Sequence, residues 1–260
     1  MAQPVPADFS PTPNATTIEY DFLDLLLEAL AERGLDYSPV IVAARADVEA
    51  PGLTPNGLKE YRLTMRDVIL VQANSHTGNL DLSNASEHAF SQNVSIPTFG
   101  GPVVFTRGWA TVDVSIDDTT FRFANTHLEA FAESIRVLQA AELVAGPVNT
   151  QLPVILVGDF NAAPGTPAYT LLVGAGFNDS AAEQDGESAE LTCCQSANLR
   201  NADSTLTTRV DLVLLRGNVE SEGVKVVGNR QQDRTVSGLW PSDHAGIVAR
   251  LELGETEDDD

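Results

Sequence analysis

Four short stretches of the sequence carry side chains that could hydrolyse an ester. They read "NTHLEA", "VGDFNAAPGTP", "RVDLVLL" and "WPSDHAGIVARLEL", and each lies next to an apolar run or contains one. The carboxylate, amide and imidazole groups within them belong to His127, Asp159, Asn161, Asp211, Asp243 and His244. Carboxylates and imidazoles are common proton acceptors and donors in enzymes, and carboxylates also bind divalent cations.

Asp159 and Asn161 directly follow the apolar run "PVILV". Side chains two residues apart on an extended segment point the same way, so both groups are predicted to project from one strand end. The carboxylate can take a proton from water or bind a cation, and the amide can orient the attacking oxygen. Asp and Asn also favour turns, so the alternative is a turn without catalytic meaning.

Asp211 lies inside an otherwise apolar run, where an unpaired carboxylate is costly. An imidazole that acts on a phosphate needs an orienting carboxylate. One contact between Asp211 and His244 meets both needs, and we predict that the two lie within hydrogen-bond distance. His127 is predicted to end a strand and to face the same cleft as Asp159.

The elements that hold these groups follow from apolar periodicity and turn residues. Strands are predicted over residues 67–72, 110–116, 121–126, 153–158, 209–217 and 246–253. Helices are predicted over residues 22–33 and 131–141. The second and third strands are predicted to form a hairpin, and the mixture predicts one α/β domain. His76 and His88 lie in polar segments and are interpreted as loop residues at the surface.

The 260-residue chain is expected to hold a single domain. Residues 1–17 contain four prolines among polar residues and are interpreted as a linker. The domain is assigned to residues 18–253, and residues 254–260 form an acidic tail. No apolar run approaches the roughly 20 residues that span a bilayer.

The formal net charge is −22, from 37 acidic and 15 basic residues. Such a surface repels phosphate polymers at long range, so tight, salt-driven binding to duplex DNA is not expected. A phosphate ester substrate is compatible with this charge if a divalent cation lies in the cleft. The alternative explanation is solubility or adaptation to high salt.

Cys193 and Cys194 are adjacent in the sequence. Adjacent cysteines rarely bond to each other because the geometry strains the backbone. Two cysteines alone do not make a zinc site, which needs four ligands or three plus water. We expect free thiols or a pairing with a cysteine of another chain, and the redox compartment stays open.

In this order, the motifs "THLEA", "VGDFNAAPGTP", "RVDLVL" and "PSDHAGIVARLEL" resemble the endonuclease/exonuclease/phosphatase superfamily, which includes deoxyribonuclease I-like nucleases and sphingomyelinases. The resemblance runs from about Asp21 to Leu253. It implies a four-layer α/β/β/α sandwich with two mixed sheets and one cleft. It also implies hydrolysis of a phosphate ester by in-line attack of metal-activated water.

The resemblance also implies a role for each residue. Asp159 aligns or deprotonates the water, Asn161 positions it, and His127 hydrogen-bonds a phosphate oxygen. His244, oriented by Asp211, stabilises charge on the phosphorus.

Substrate contacts and metal ligands follow from the same resemblance. Arg107, in "FTRGWATVDV", matches a phosphate-contacting arginine, and its alternative is an exposed hairpin charge. Asn125, in "NTHLEA", is assigned to substrate binding. The metal ligands are Asp243, Asp159 and Asn161, and the ion is Mg²⁺, with Mn²⁺ or Ca²⁺ as alternatives.

Family members begin with a strand that carries an Asn and a "QE" strand whose Glu is the principal metal ligand, and neither motif is found here. The chain is therefore expected to be truncated at its N-terminus and to lack these two core strands. With Asp243 as the main carboxylate ligand, weak magnesium binding and poor phosphodiester hydrolysis are expected. The location stays open, with secretion favoured if a missing start carried a signal peptide.

The leading hypothesis is a metal-dependent phosphodiesterase of nuclease type, with a phosphate ester or a nucleic acid as partner. The alternative is a catalytically weak or silent domain that binds a phosphate ligand or a protein. A phospholipid hydrolase would need an apolar membrane-facing loop, for which residues 95–105 are the nearest candidate. The identity of the ester and the oligomeric state stay open.

Overall fold

The computed structural model describes residues 5–6, 13–72, 80–98, 101–182 and 191–254. Within these ranges the chain forms, in order, β1 (Val5–Pro6), α1 (Phe22–Ala31), β2 (Tyr37–Thr54), β3 (Gly57–Gln72), β4 (Leu80–Ala89), β5 (Val94–Thr98), β6 (Gly101–Phe105), β7 (Gly108–Ile116), β8 (Thr119–His127), α2 (Glu133–Ala145), β9 (Val154–Asp159), α3 (Pro167–Gly174), β10 (Asn178–Asp179), β11 (Asp211–Arg216), β12 (Val219–Val227) and β13 (Gly246–Leu253). A short 3-10 helix, Gln231–Asp233, lies between β12 and β13.

A six-stranded sheet carries the catalytic candidates. Its strand order is β10-β11-β9-β8-β7-β4. The predicted hairpin is present as β7 and β8, with Asp117 of its turn at φ 51°. β8 and β9 run parallel and are joined through α2, whereas the other neighbours in the sheet are antiparallel. The sheet is therefore mixed. The long connection through α2 joins β8 to β9, because a parallel pair cannot be joined by a tight turn.

The two faces of this sheet are covered differently. On one face, Leu143 of α2 and Leu172 of α3 pack with Leu156 of β9 in one buried core. On the other face, Ile41 of β2 and Val219 of β12 belong to a second core. Alternate residues of the central strands serve the two cores, which is the period-two pattern of a sheet buried on both sides.

The strands of the second core form separate antiparallel pieces. One is a three-stranded sheet in the order β1-β3-β2, and the other is the pair β12-β13. β5 and β6 form a further two-stranded hairpin. A mixed α/β fold with a mixed sheet is confirmed, and the exact α/β/β/α sandwich of four layers stays a prediction.

Helix α1 begins where the sequence predicts it to begin. The Asp21 side chain accepts hydrogen bonds from the backbone N–H groups of Leu23 and Asp24, which is an N-cap. The chain turns at Gly34, whose φ is +73°. The side chains of α1 are exposed or half-buried and none is fully buried, with Phe22 at 69% exposure, so capping and propensity contribute more to this helix than core burial does.

Several predicted boundaries fall at the margins of the described residues. The backbone N–H groups of Asn14 and Ala15 contact the Glu49 carboxylate, so residues adjoining the predicted domain pack against it. Other than the backbone of Val5–Pro6, residues 1–12 of the predicted linker lie outside the described residues, as do His76 and residues 255–260 of the predicted tail.

The structure bears on two predictions about surface segments. His88 was expected in a loop but lies in β4, where its ring contacts that of Trp109, with 5.1 Å between the centroids. The expectation of a loop is wrong because this polar segment forms the edge strand of the sheet, where most of its side chains, including that of His88, are exposed. The described part of residues 95–105 forms the β5–β6 hairpin. Among the described helices, none is long and apolar enough to cross a membrane.

Candidate active site

Three neighbouring strands present one side chain each in a single row. In the sheet register, His127 at the end of β8 is the partner of Asp159 at the end of β9, and Asp159 is the partner of Asp211 at the start of β11. By the alternation of strand side chains, Asp159 shares a face with Val157 and Asp211 shares a face with Val213, whereas His127 shares a face with Asn125. The row faces the side covered by β3 and β13.

The chain leaves β9 through a tight backbone arrangement. Gly158 has φ +145°, and a Cβ added there would lie 1.8 Å from the Thr126 carbonyl oxygen. Only glycine fits this approach, since any side chain would clash with the neighbouring strand. The glycine before Asp159 therefore lets β9 and β8 stay paired up to the catalytic candidates.

Asn161 does not continue the strand, because β9 ends at Asp159, so the extended geometry that was predicted to align the two side chains is absent. Its φ is +49°, and its backbone N–H donates to Asp159 Oδ1 at 2.9 Å. Its side-chain Nδ2 donates to the Leu128 carbonyl at 3.0 Å. The turn-forming tendency of Asp and Asn outweighs strand continuation here. The role of Asn161 in water or metal binding stays a prediction.

The predicted contact between Asp211 and His244 is present. His244 Nδ1 lies 2.9 Å from Asp211 Oδ2. His244 approaches from the loop before β13, whereas Asp211 starts β11, so the contact joins two elements. The carboxylate orients the imidazole and leaves Nε2 free to act.

His127 contacts two groups through its two ring nitrogens. Arg107 Nη1 lies 3.0 Å from Nδ1, and Asp159 Oδ2 lies 3.3 Å from Nε2. A guanidinium can only donate, so Nδ1 must accept and the proton of the neutral ring must lie on Nε2. The His127 Nε2–H therefore donates toward Asp159.

The surroundings shift the pKa values of these groups in different directions. Burial, then the charges of Arg107 and His244, lower the pKa of His127 to about 3. Burial, then the neighbouring Asp211 carboxylate, raise the pKa of Asp159 to about 6. The hydrogen bond that His244 donates to the Asp211 carboxylate raises the pKa of His244 to about 9. At neutral pH the site thus holds a neutral His127, a charged His244 and a mostly ionised Asp159.

A cavity of about 500 Å³ opens over the row. Its lining includes His127, Asp159 and Asp211, together with Asn125 and Asp67. Apolar residues of β8, β9, β11 and β13 form the rest of its floor and wall. A cleft with an apolar body and a few convergent polar groups is typical of small-molecule and active sites.

The remaining predicted residues take different positions around this cavity. Asn125 lines it, and its Nδ2 donates to the Val68 carbonyl at 3.4 Å. Arg107 is only 8% exposed and lies behind His127, so the alternative of an exposed hairpin charge is wrong. Asp243 is exposed and contacts the Ser242 hydroxyl. Substrate contact by Arg107 and Asn125, and metal binding by Asp243, stay predictions.

The site offers ligands that fit a divalent cation. One ligand atom each of Asp159, Asp211 and His244 lies within 4.8 Å of the other two. Two carboxylates at this separation repel each other, and after burial this repulsion is the next cause of the raised pKa of Asp159. A cation between them would relieve that repulsion, and carboxylate oxygens are the ligands that hard cations prefer.

The segment 192–195 fastens the two halves of the site to each other. The Thr192 hydroxyl accepts hydrogen bonds from the N–H groups of Val210 and Asp211. The Thr192 carbonyl accepts from the Ala245 N–H, and the Gln195 N–H donates to the Asp243 carbonyl. The start of β11 and the loop that carries His244 are therefore held by one short stretch of backbone.

Cys193 and Cys194 in this segment are joined by a disulfide, with a cis peptide between them. The expectation that adjacent cysteines stay unpaired is therefore wrong. Cys194 Sγ lies 3.8 Å from His244 Nε2, so the disulfide adjoins the catalytic candidates.

Asp67 and Arg45 are site residues that the sequence analysis missed. Arg45 Nε donates to Asp67 Oδ2 at 2.9 Å, and the Arg45 side chain is almost fully buried. Burial raises the pKa of Asp67, and the charges of Arg45 and Arg107 oppose that rise. The signal was available, because Asp67 opens the apolar run "DVILVQ" much as Asp211 opens "DLVLL".

Comparison with known proteins finds a matching family and structures with a similar fold. A model of the Endonuclease/Exonuclease/phosphatase family matches residues 45–244. No curated protein sequence matches the chain. Among solved structures, a mannosyl-6-phosphatase from Bacteroides thetaiotaomicron is 21% identical, with a TM-score of 0.61 over 89% of this chain and 82% of that one.

Two further structures share the fold at lower identity. The catalytic domain of human nocturnin with bound sulfate is 17% identical, with a TM-score of 0.52 over 90% of this chain and 77% of that one. TDP2 from D. rerio, complexed with single-strand DNA product, is 16% identical, with a TM-score of 0.53 over 88% of this chain and 91% of that one. At these identities the likeness concerns the fold alone.

Proposed function

The chain belongs to the endonuclease/exonuclease/phosphatase family, and from this premise we propose that it is a metal-dependent phosphoesterase that hydrolyses phosphodiesters by in-line attack of water. The observation that carries the proposal is the row of His127, Asp159 and Asp211 across three strands, with His244 held against Asp211. Asp159 of this row supplies a proton acceptor beside the cavity, and His244 supplies a charged donor.

Asp159 is the proton acceptor of the proposed reaction. Its pKa, raised to about 6, keeps the carboxylate ionised at neutral pH yet more basic than an ordinary aspartate. A general base is most effective when its pKa lies near the working pH. Asp159 therefore aligns the attacking water and takes its proton.

His244 is the charged donor. Asp211 holds its Nδ1, so the Nε2–H can point to a non-bridging oxygen of the phosphate. Charge that develops on those oxygens in the transition state is stabilised by a fixed, already oriented donor. His127, neutral and protonated on Nε2, supplies a second donor to the phosphate when its contact with Asp159 gives way.

A divalent cation completes the site in this proposal. Asp159 and Asp243 are its proposed carboxylate ligands, with Asn161 as a neutral one. Of these, Asp159 lies in a cluster with Asp211 and His244, whose ligand atoms are within 4.8 Å of one another. When bound, the cation would polarise a phosphoryl oxygen and neutralise negative charge. We propose Mg²⁺, because oxygen ligands with several retained waters suit it.

Support for a phosphodiester substrate comes from the sequence motifs and from the relatives. Among the structures that share the fold, one is named for a phosphatase activity and one is complexed with a DNA product. Specificity within a shared fold depends on loops around the site. The diester is therefore the part of the proposal that most needs a direct assay.

The test measures hydrolysis by the 260-residue chain of bis-p-nitrophenyl phosphate and of p-nitrophenyl phosphate, with added Mg²⁺ and after chelation. We expect slow, metal-dependent release from the diester, because magnesium binding is expected to be weak with Asp243 as the main carboxylate ligand. Asp159→Asn should lower kcat/KM by at least about 100-fold, because general-base catalysis typically contributes that much. Asp118→Asn, which removes an exposed carboxylate in the β7–β8 turn, is the matched control and should leave the rate unchanged.

Each contrary result has a definite meaning. Faster turnover of the monoester would replace the diester with a phosphomonoester substrate. Turnover that survives chelation, or that Asp159→Asn leaves intact, would overturn the proposed mechanism. Absence of turnover with either ester would favour a domain that binds a phosphate ligand without hydrolysing it.

A further inference from the structure

One side chain of helix α2 contacts the segments that follow β8 and β9. Arg136 Nε donates to the Glu129 carbonyl at 2.7 Å, and Nη2 donates to the Ala130 carbonyl at 2.9 Å. The third nitrogen, Nη1, donates to the Asn161 carbonyl. Glu129 and Ala130 follow β8, whereas Asn161 follows β9. A single guanidinium therefore joins two segments that leave the row, and none of the roles proposed above uses it.

The contact with Asn161 leads directly to Asp159. The Asn161 backbone N–H donates to Asp159 Oδ1 at 2.9 Å, and the Asn161 carbonyl accepts from Arg136. Asn161 has φ +49°, a left-handed conformation that a residue other than glycine keeps only when its contacts hold it. Arg136 therefore holds in place the residue whose N–H orients the proposed general base.

The segment after β8 is fixed to the same helix by a second side chain. Gln139, one turn after Arg136 in α2, is fully buried. Its Oε1 accepts from the Glu129 N–H at 2.8 Å, and its Nε2 donates to the Gln92 carbonyl at 2.8 Å. Glu129 is thus bound to α2 through both its N–H and its carbonyl. Because Leu143 anchors α2 in the apolar core, the guanidinium is attached to a well-packed part of the molecule.

The segments after β8 and β9 also bond to each other. The Leu128 N–H donates to the Asp159 carbonyl at 2.9 Å, and Asn161 Nδ2 donates to the Leu128 carbonyl at 3.0 Å. Arg136 adds further bonds between the same two segments from the side of the helix. Such a network fixes a turn more tightly than any one bond does.

An arginine suits these contacts better than a lysine does. A guanidinium carries five N–H donors in a rigid plane, whereas an ammonium is a compact point charge on a flexible chain. The rigid plane lets one side chain bind three carbonyls at once. Arg136 is the fourth residue of α2 (Glu133–Ala145), and positive charge is not favoured near the N-terminus of a helix. Helix stability therefore does not account for an arginine at this position.

We propose that Arg136 is a positioning residue of the active site. Through the Asn161 carbonyl it fixes the turn that holds the Asp159 carboxylate, and through Glu129 and Ala130 it keeps that turn aligned with the end of β8. Arg136 does not line the cavity, so it acts through Asn161 and not on the substrate. Its effect on turnover alone rests on the proposed function, since displacing a reacting group by about 1 Å costs up to about 100-fold in rate.

Amide hydrogen exchange of the full chain tests the geometry without turnover. In Arg136→Met the Asn161 N–H should exchange at least about 10-fold faster, because the turn opens locally. The N–H of Leu156, in the middle of β9, should exchange as it does in the parent chain. With bis-p-nitrophenyl phosphate, the same variant should lower kcat at least about 10-fold and leave KM within about twofold, because no substrate contact is lost.

Two further variants separate position from charge and from general stability. Arg136→Lys keeps the charge without the planar donors, and it should resemble Arg136→Met in exchange and in kcat. Arg122→Met is the matched control, because it removes another half-buried arginine, which contacts Asp113 and the Pro147 carbonyl. It should leave kcat and the exchange of the Asn161 N–H unchanged. Circular dichroism of each variant checks its folding.

Four results would overturn the proposal. In Arg136→Met these are parent-like exchange of the Asn161 N–H, equal acceleration at Leu156 from a loss of general stability, and a parent-like kcat alongside faster exchange. The fourth is an Arg136→Lys variant that behaves as the parent chain does, which would show that charge alone suffices. If the parent chain hydrolyses neither ester, the phosphoesterase proposal fails, whereas the exchange measurements still decide the role of Arg136.

Discussion

The two histidines of this site, His127 and His244, differ in protonation because their neighbours differ. His127 has a pKa lowered to about 3 and His244 a pKa raised to about 9. His127 is buried beside the Arg107 guanidinium, and His244 donates a hydrogen bond to the Asp211 carboxylate. Pairs of like groups whose surroundings push their pKa values apart are a mark of acid–base sites. The two histidines are therefore not interchangeable, although both belong to the candidate active site.

The tautomer of His127 yields a test at the residue scale. Arg107→Gln keeps a donor to Nδ1 but removes the positive charge that helps to lower the His127 pKa. We expect this pKa to rise from about 3 while staying below 6.5, because burial is the larger cause. Nitrogen-15 NMR of the imidazole should show the proton on Nε2 in both proteins, and a proton on Nδ1 would contradict the assignment.

The Asp211–His244 contact yields a second test. A pKa raised above 6.5 to about 9 means that the contact stabilises the fold below pH 6.5 and that this contribution is lost as the pH rises through about 9. One quarter of the imidazole is exposed, so after solvent screening we expect Asp211→Asn to lose about 2 kcal/mol at pH 6.

Thermal unfolding of the Asp211→Asn variant against pH measures this loss. The gap in Tm from the parent chain should be widest near pH 6 and should close toward pH 10. Asp118→Asn should show no such trend. A gap that does not change with pH would mean that Asp211 supports packing rather than the charge of His244.

At the scale of elements, Gly158 decides how closely β8 and β9 approach. A Cβ at Gly158 would lie 1.8 Å from the Thr126 carbonyl, and φ is +145°. Gly158→Ala should therefore cost at least about 3 kcal/mol of unfolding free energy. It should also displace Asp159, so turnover should fall with stability. Denaturant unfolding measures the first effect and the diester assay the second.

Gly165 is the matched control for that experiment. Its φ is +86°, and a Cβ there would meet nothing within 4 Å. Gly165→Ala should cost only about 1 kcal/mol, the conformational penalty alone. Equal losses at the two positions would show that backbone conformation, not the approach to Thr126, limits Gly158.

The elements that position the site could be predicted from the sequence because their signals are local. Strict alternation in "WATVDVSID" indicated β7, and the apolar runs ending at Asp159 and beginning at Asp211 indicated β9 and β11. The cost of an unpaired Asp211 indicated its partner. These signals need only neighbouring residues and one physical penalty.

The long hairpin of β2 and β3 could not be predicted from local sequence signals. Pro39, Pro51 and Gly52 interrupt β2, and such residues normally argue against a strand. Register shifts in the hairpin disturb the alternation further. The contacts of His127 with Arg107 and of His244 with Cys194 join distant residues, so no local pattern announces them.

At the scale of the whole molecule, the charge of −22 should set the salt dependence of substrate binding. Between about 0.01 M and about 0.15 M salt the screening length falls from about 30 Å to about 8 Å. At constant free Mg²⁺, KM for a single-stranded oligonucleotide should therefore fall several-fold over this range. KM for bis-p-nitrophenyl phosphate, which carries a single charge, should change little.

The opposite trend would identify a different kind of binding surface. Proteins that hold nucleic acid through basic residues lose affinity steeply as salt rises. A KM for the oligonucleotide that rises with salt would show that local cations outweigh the overall charge. Kinetics at four or five salt concentrations with both substrates would separate the two cases.

The register that aligns His127, Asp159 and Asp211 also restricts how the gene can change in length. Neighbouring residues of β9 face opposite cores, so removing one codon between Val154 and Gly158 would turn Asp159 toward the helices. The carboxylate would then lie in an apolar layer, and an apolar side chain would take its place in the cavity. Single-codon insertions and deletions should therefore be absent from functional variants of β8, β9 and β11 and confined to the connections between strands.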